Sequence, residues 1–224
     1  MSKLIIVPTP IGNLEDITLR ALKVLETADV ILAEDTRQTS KLLRHFKIST
    51  PCRSFHMHNE HRMSENIAKD LSQSNQTYAL VSDAGTPGIS DPAYLLINKC
   101  IEMDVTIECL PGATAFVPAL IESGLPSDSF IFMGFLPHQK GRTRILNDLK
   151  NESRTMVFYE SPYRMIKTLT QFAETFGSER LASVSREISK VYAETTRASL
   201  SELLELYKKK NIKGEFVIVV NGKK

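Results

Sequence analysis

Short β-branched runs alternate with helix-period segments along almost the whole chain, and that alternation restricts the fold more than any other feature. Runs at residues 4–7, 30–33, 53–56, 78–81 and 105–110 read as strands. Between them, apolar residues recur three and four positions apart. Ile17, Ala21, Leu22 and Leu25 form one face behind Asp16 as N-cap, and Thr36 or Thr39 opens a helix carrying Leu42, Leu43 and Phe46. Ile67 and Leu71 mark a polar helix over 60–72 capped by Asn59. Asp91-Pro92 reads as the N-cap and first-turn proline of the next helix. The second half repeats the pattern, with strands at 130–133, 156–159, 181–185 and 216–220. Ser161-Pro162 starts a helix that Gly177 ends, and Ser199 with Glu202 forms a capping box for a last helix over 200–209. The alternation predicts an α/β protein of two lobes with parallel or mixed sheets covered by helices. Gly124-Leu125-Pro126-Ser127-Asp128 is the best linker, and it divides the chain into domains 1–123 and 124–224.

Charge and cysteine usage narrow the function classes. The 28 Lys and Arg against 26 Asp and Glu leave a formal net charge of +2, which excludes a dedicated basic nucleic-acid coat. Any RNA must be held by a local basic patch or partly by something else. Cys52, Cys100 and Cys109 are far apart and odd in number, which predicts reduced thiols rather than a disulfide framework. The apolar run near the N-terminus is too short for a signal peptide and no segment reaches spanning length, so the expectation is a soluble cytoplasmic protein.

Three small-residue loops leave three strands. The most informative is Ser82-Asp83-Ala84-Gly85-Thr86-Pro87-Gly88-Ile89-Ser90-Asp91-Pro92. Glycines there permit close backbone approach to a ligand, and free amides at a helix start receive a carboxylate or phosphate. The ordinary alternative is a well-made turn with a cap. Residues 7–14 and 110–115 supply the other two loops, and in an α/β sheet all three converge on one edge, beyond the strand carboxyl ends. None carries the phosphate-loop or dinucleotide-binding glycine pattern.

Pro8-Thr9-Pro10-Ile11-Gly12-Asn13-Leu14, Glu34-Asp35-Thr36-Arg37, the 82–92 loop and Pro111-Gly112-Ala113-Thr114-Ala115 together resemble the tetrapyrrole-methylase superfamily, in particular its ribosomal-RNA-modifying branch. His58-Asn59-Glu60, Phe158-Tyr159-Glu160-Ser161-Pro162-Tyr163-Arg164, Arg186-Glu187, Lys190 and Glu194 extend the similarity from residue 3 to about 221. The resemblance implies two α/β lobes of non-Rossmann type with S-adenosylmethionine folded in a cleft between them. It also implies a homodimer, and an acceptor that is the ribose 2′-hydroxyl of a cytidine in 16S rRNA, within an assembled small subunit. Many members continue further at the C-terminus. Carried over by position, the cofactor contacts are Ile11, then Gly85, Thr86, Ile89, Ser90 and Asp91, then Thr114 and Ala115, with Tyr159, Arg186 and Glu215 from the second lobe.

Methyl transfer to a hydroxyl needs positioning and a proton acceptor. Asp35 with Arg37 fits a carboxylate beside a phosphate-binding guanidinium, or simply an N-cap with a surface ion pair. His58 and Glu60 fit proton acceptors in an RNA-contacting loop that also holds His56 and His61, and the irregular spacing of these residues argues against a metal site. Arg186, Glu187 and Lys190 fit equally a phosphate grip or a structural ion network. His138, Lys140, Arg142 and Arg144 read as a basic loop for an RNA backbone, with Phe135 and Tyr192 as stacking candidates. Two rival readings stay open: the same superfamily acting on a tetrapyrrole or a protein side chain, and a phosphohydrolase in which Asp83 and Asp91 share a magnesium ion.

Overall fold

The computed structural model of the chain describes residues 2–223, which form two compact units divided between Thr114 and Ala115. The first unit runs β1 (Lys3–Ile6), α1 (Leu19–Thr27), β2 (Val30–Ala33), α2 (Thr36–His45), β3 (Cys52–Ser54), α3 (Glu60–Ser72), β4 (Thr77–Val81), α4 (Tyr94–Glu102) and β5 (Thr106–Cys109). Its five strands are all parallel, in the order β3-β2-β4-β1-β5, so this sheet is purely parallel rather than mixed.

The two-residue period of the strands explains why helices cover both faces. Leu4 and Ile6 join Leu32, Tyr78 and Leu80 on the face that receives α3 and α4, through Ile67, Leu71, Leu96 and Cys100. Ile5 and Val7 join Ile31, Ala79 and Val81 on the opposite face, against Ala21 and Leu25 of α1 and Leu43 of α2. Neighbouring β1 and β4 therefore send their connections in opposite directions: α1 crosses one face toward β2, and α4 crosses the other toward β5. This is the topological switch point of the sheet, the place where open α/β sheets bind ligands.

The second unit runs α5 (Phe116–Ser123), β6 (Phe130–Phe135), α6 (Arg142–Leu149), β7 (Thr155–Glu160), α7 (Met165–Phe176), β8 (Leu181–Arg186), β9 (Glu194–Ser199), α8 (Leu200–Lys208) and β10 (Phe216–Val220). Its sheet, β6-β7-β10-β8-β9, is mixed: β6 and β7 are parallel and the other pairs antiparallel. Helices α6, α7 and α8 cover one face through Leu146, Leu169, Phe172 and Leu203. On the other face Ala119 and Leu120 of α5 pack on Val157, Val217 and Val219. That packing places α5 in the second unit, so the division falls before this helix rather than at the Gly124 linker. Gly124 does end the helix, in the left-handed conformation at φ 69°.

Several caps differ from the sequence reading. Thr18, not Asp16, caps α1 by accepting from Ala21 N. The α2 helix opens at Thr36, one of the two starts the sequence offered, with Asp35 as its N-cap accepting from Arg37 N. The α4 helix begins at Tyr94, so Asp91-Pro92 does not start it. Asn59 precedes α3 without a capping hydrogen bond; its side chain accepts from His56 N at 2.8 Å instead. The Ser199–Glu202 capping box is present at α8, and the expected α7 end at Gly177 is found. All three cysteines are free thiols, and among the described residues no helix is long and apolar enough to cross a membrane.

Candidate active site

The three loops that leave β1, β4 and β5 are stitched together. Thr9 and Gly85 exchange both backbone hydrogen bonds, N to O at 2.9 Å each way. Thr86 Oγ1 donates to Ala113 O at 2.9 Å, and Thr9 Oγ1 donates to Ser82 O at 3.1 Å. A Cβ at Gly112 would stand 2.5 Å from Pro8 Cβ, so only glycine lets the first and third loops approach so closely. A Cβ at Gly85 would meet Ile11 Cγ2 at 3.4 Å and Ala113 O at 3.6 Å, from a backbone held at φ +84°. Ser90 adds a non-glycine residue at φ +72° in the same loop, a conformation that costs free energy unless the surroundings fix it. Ile11, Gly85, Thr86, Ile89, Ser90 and Thr114 thus sit on or beside one woven edge at the switch point.

Carboxylates gather along the same edge. Asp35 N donates to Asp83 Oδ1 at 3.0 Å, which joins the end of β2 to the end of β4. Burial, then the nearby Glu34 charge, pushes the Asp91 carboxyl up to about 7, against a bond from the Ser82 hydroxyl; Asp83 adds to the rise. Burial, then Asp83, likewise raises Glu34, while the Asp83 backbone amide and His56 oppose the rise. Glu34, Asp83 and Asp91 therefore form a self-repelling anionic group, which fits a positively charged ligand. The sequence placed Asp83 and Asp91 in one loop but gave no signal that Glu34 joins them. His56 stands beside them with its buried Nδ1 lacking a hydrogen-bond partner, its ring 5.8 Å from that of His58. Among the described residues no three His, Cys, Asp or Glu side chains are grouped as metal ligands, so the phosphohydrolase reading gains no third ligand for Asp83 and Asp91.

The proton-acceptor candidates separate. Asp35 accepts from Arg37 Nε at 3.0 Å and Arg37 Nη2 at 2.7 Å, bonds that hold its carboxyl down at about 2. Arg37 keeps its side chain 87% exposed in that pairing. His58 is exposed. Glu60 is buried and accepts from Leu95 N at 3.3 Å, so it serves as the missing N-terminal cap of α4 from a neighbouring helix.

In the second unit the charged candidates are paired. Lys190 Nζ binds Glu187 Oε1 at 3.0 Å and Glu215 Oε2 at 2.9 Å, and Glu215 N donates to Glu187 Oε1 at 2.9 Å. Arg186 Nε donates to Lys213 O at 2.7 Å. These contacts tie the loop after β8 to the approach to β10, with Glu187 and Ser189 at positive φ. Tyr159 packs its ring 5.1 Å from Phe132 and 5.5 Å from Phe135, and Ala115 packs against the α5 side of the sheet. Arg142 is buried, not part of a solvated grip: it donates to Thr168 Oγ1 at 2.6 Å and Gln171 Oε1 at 2.7 Å, 3.7 Å from Glu160. His138, Lys140 and Arg144 remain exposed.

Residues 3–204 match the family described as Tetrapyrrole (Corrin/Porphyrin) Methylases. "Ribosomal RNA small subunit methyltransferase I" of Thermotoga maritima is 45% identical over 223 residues, 100% of both chains. The protein of the same name from Halalkalibacterium halodurans is 48% identical over 220 residues, 98% of this chain and 75% of the relative. In fold the chain resembles a diphthine synthase, with a TM-score of 0.76 at 14% identity over 99% of this chain and 90% of that one. It also resembles the Thermus thermophilus uroporphyrin-III C-methyltransferase complexed with S-adenosyl homocysteine, with a TM-score of 0.65 at 17% identity over 99% of this chain and 97% of that one.

Proposed function

The chain belongs to the tetrapyrrole methylase family, and from that membership we propose that it is an S-adenosylmethionine-dependent methyltransferase acting on the RNA of the small ribosomal subunit. The observation that carries the cofactor assignment is the woven edge of the first unit, where Thr9, Gly85 and Ala113 interlock beside the Glu34, Asp83 and Asp91 carboxylates. The names of relatives matched along nearly the whole chain support the acceptor.

The residues fit the donor's chemistry. S-adenosylmethionine, when bound, supplies a methyl group on a sulfonium already activated for displacement. Ile11, Gly85, Thr86, Ile89, Ser90 and Thr114 offer backbone amides, carbonyls and hydroxyls for its polar ends, and Glu34 and Asp91 answer its positive charge. His58, exposed at the end of the β3 connection, takes the proton from the acceptor hydroxyl. Arg37, held in a fixed fork by Asp35, meets a phosphate. Glu60 positions α4 through Leu95 N, and the Arg186, Glu187 and Lys190 network sets the shape of the second unit's loops. Ala115, Tyr159 and Glu215 remain proposed cofactor neighbours on the family resemblance.

The finer reading is methylation of a cytidine 2′-hydroxyl in 16S rRNA within the assembled subunit, by a cytoplasmic homodimer. The dimer is proposed on the family resemblance. The test is transfer of labelled methyl from S-adenosylmethionine to small subunits lacking the mark. Incorporation that renders one ribose linkage resistant to alkali is the expected result. Binding of the cofactor without transfer to subunits or to their RNA would overturn the acceptor assignment.

A further inference from the structure

The second unit holds a cavity of about 700 Å³ at the carboxyl ends of β6 and β7, with Phe135, Pro137, His138, Ser161, Tyr163 and Arg164 in its lining. We propose that this cavity receives one unpaired nucleotide of single-stranded RNA, its base stacked on Tyr163 and Phe135 and its phosphate facing Arg164 and His138. The proposal rests on the RNA reading above and assigns that substrate a subsite within the second unit.

Size, surface and charge each point the same way. The volume lies within the roughly 300–1,000 Å³ of small-ligand sites. Tyr163, on a single 3-10 turn at Pro162–Arg164, is 97% exposed, and Phe135 is 53% exposed. Two rings left in water at the mouth of one cavity are the platform that successive bases use, whatever their sequence. Phe135 packs against Tyr159, which packs against Phe132, so that ring of the platform is held in place.

The charge comes from an imbalance beneath the cavity. Glu160 is buried and faces two guanidiniums, Arg164 with Nε at 2.8 Å and Arg142 with Nη2 at 3.7 Å. One carboxylate against two arginines leaves a positive excess under the cavity, and no acidic residue lines it. Glu160 is further fixed by Thr168 Oγ1 at 2.6 Å and Ser161 N at 2.8 Å. Arg164 also donates Nη1 to Leu136 O at 2.9 Å, which helps fix its guanidinium where the residue lines the cavity. Ser161 Oγ caps nothing, and His138 and Lys140, exposed on the loop after β6, with Arg144, exposed in the first turn of α6, offer further positive groups for neighbouring phosphates. A carboxylate-fringed macrocycle would need many cations around it, and Arg164 and His138 are the two basic groups of this lining.

The test measures binding of the intact chain to a fluorescent single-stranded oligoribonucleotide of about ten nucleotides and to its duplex. The single strand is expected to bind in preference to the duplex. Tyr163→Ala should weaken it about five- to hundredfold, the range for loss of one base–aromatic stack, and Tyr163→Phe should hold within about twofold. Phe135→Ala should act in the same direction, with S-adenosylhomocysteine affinity unchanged in all three variants. Equal affinity across wild type, Tyr163→Ala and Phe135→Ala would overturn the proposal, as would binding of a carboxylated porphyrin and not RNA. A wild type that binds the strand through Tyr163 yet never methylates subunits removes the acceptor assignment and leaves the cavity's role standing. An active wild type with unchanged KM and strand affinity in Tyr163→Ala does the reverse.

Discussion

Both units finish their sheets in charged loops, and they treat that charge in opposite ways. In the first, Glu34 and Asp91 are drawn toward burial beside Asp83, and their carboxyls rise against one another. In the second, Glu187 and Glu215 share Lys190, and Glu160 faces two arginines. Charge paired within the chain shapes a surface, and the second guanidinium beside Glu160 is the excess that surface presents. Charge held at a cost, next to a backbone woven through positive-φ residues, is poised for something that arrives. Under the proposed function, the first unit supplies most of the donor's contacts and the second shapes the substrate site.

The largest break expected in donor binding is at Gly85. Gly85→Val places a branched side chain against Ile11 and Ala113 O from a left-handed backbone, and binding of S-adenosylhomocysteine should fall more than about a hundredfold, equivalent to ~2.7 kcal/mol. Calorimetry with circular dichroism as a folding control reads this directly, and a folded variant of unchanged affinity would misplace the site. On the other side of the comparison, Glu160→Ala leaves Arg142 buried without its carboxylate. Stability should drop by about 3–5 kcal/mol, or roughly 6–20 °C in Tm, with cofactor affinity preserved in the protein that remains folded.

Asp91 sharpens the contrast through pH. Its folded carboxyl titrates near 7, above the ordinary 3.8, so the proton is retained on folding. The stability this contributes is present in full below the unfolded value and is lost as pH rises through about 7. Asp91→Asn should therefore melt higher than wild type at pH ~8, by on the order of 1 kcal/mol once solvent screening is allowed for, and the gap should close toward pH ~4. Binding of the cationic donor should strengthen in wild type across the same rise, several-fold, and stay flat in Asp91→Asn. The smallest effect belongs to Lys190→Met. It breaks two partly exposed pairs and should cost under about 1 kcal/mol in thermal melts while donor affinity holds.

The strand–loop–helix rhythm, the two lobes and the three converging loops were readable because glycine, proline and β-branched residues act locally. What the sequence hid was tertiary. Asp91-Pro92 has the chemistry of a helix start, yet the helix waits until Tyr94 and Asp91 turns toward Ser82. Glu60 caps a helix that lies far along the chain, a job no local pattern announces. Arg142 reads as one of four solvated basic residues and is buried because Glu160 and Thr168 receive it. β9 was missed because Glu-Thr-Thr-Arg-Ala-Ser over Glu194–Ser199 is a polar edge strand without apolar alternation. α5 changed units because its allegiance is decided by Val157, Val217 and Val219, not by the Gly124 that ends it.

The most direct measurement is the amide spectrum of the isotope-labelled chain titrated with S-adenosylhomocysteine. The account predicts the largest first-unit shifts at Thr9, Ile11, Gly85, Thr86, Ser90 and Thr114. Silence at those amides while the ligand binds elsewhere would contradict it.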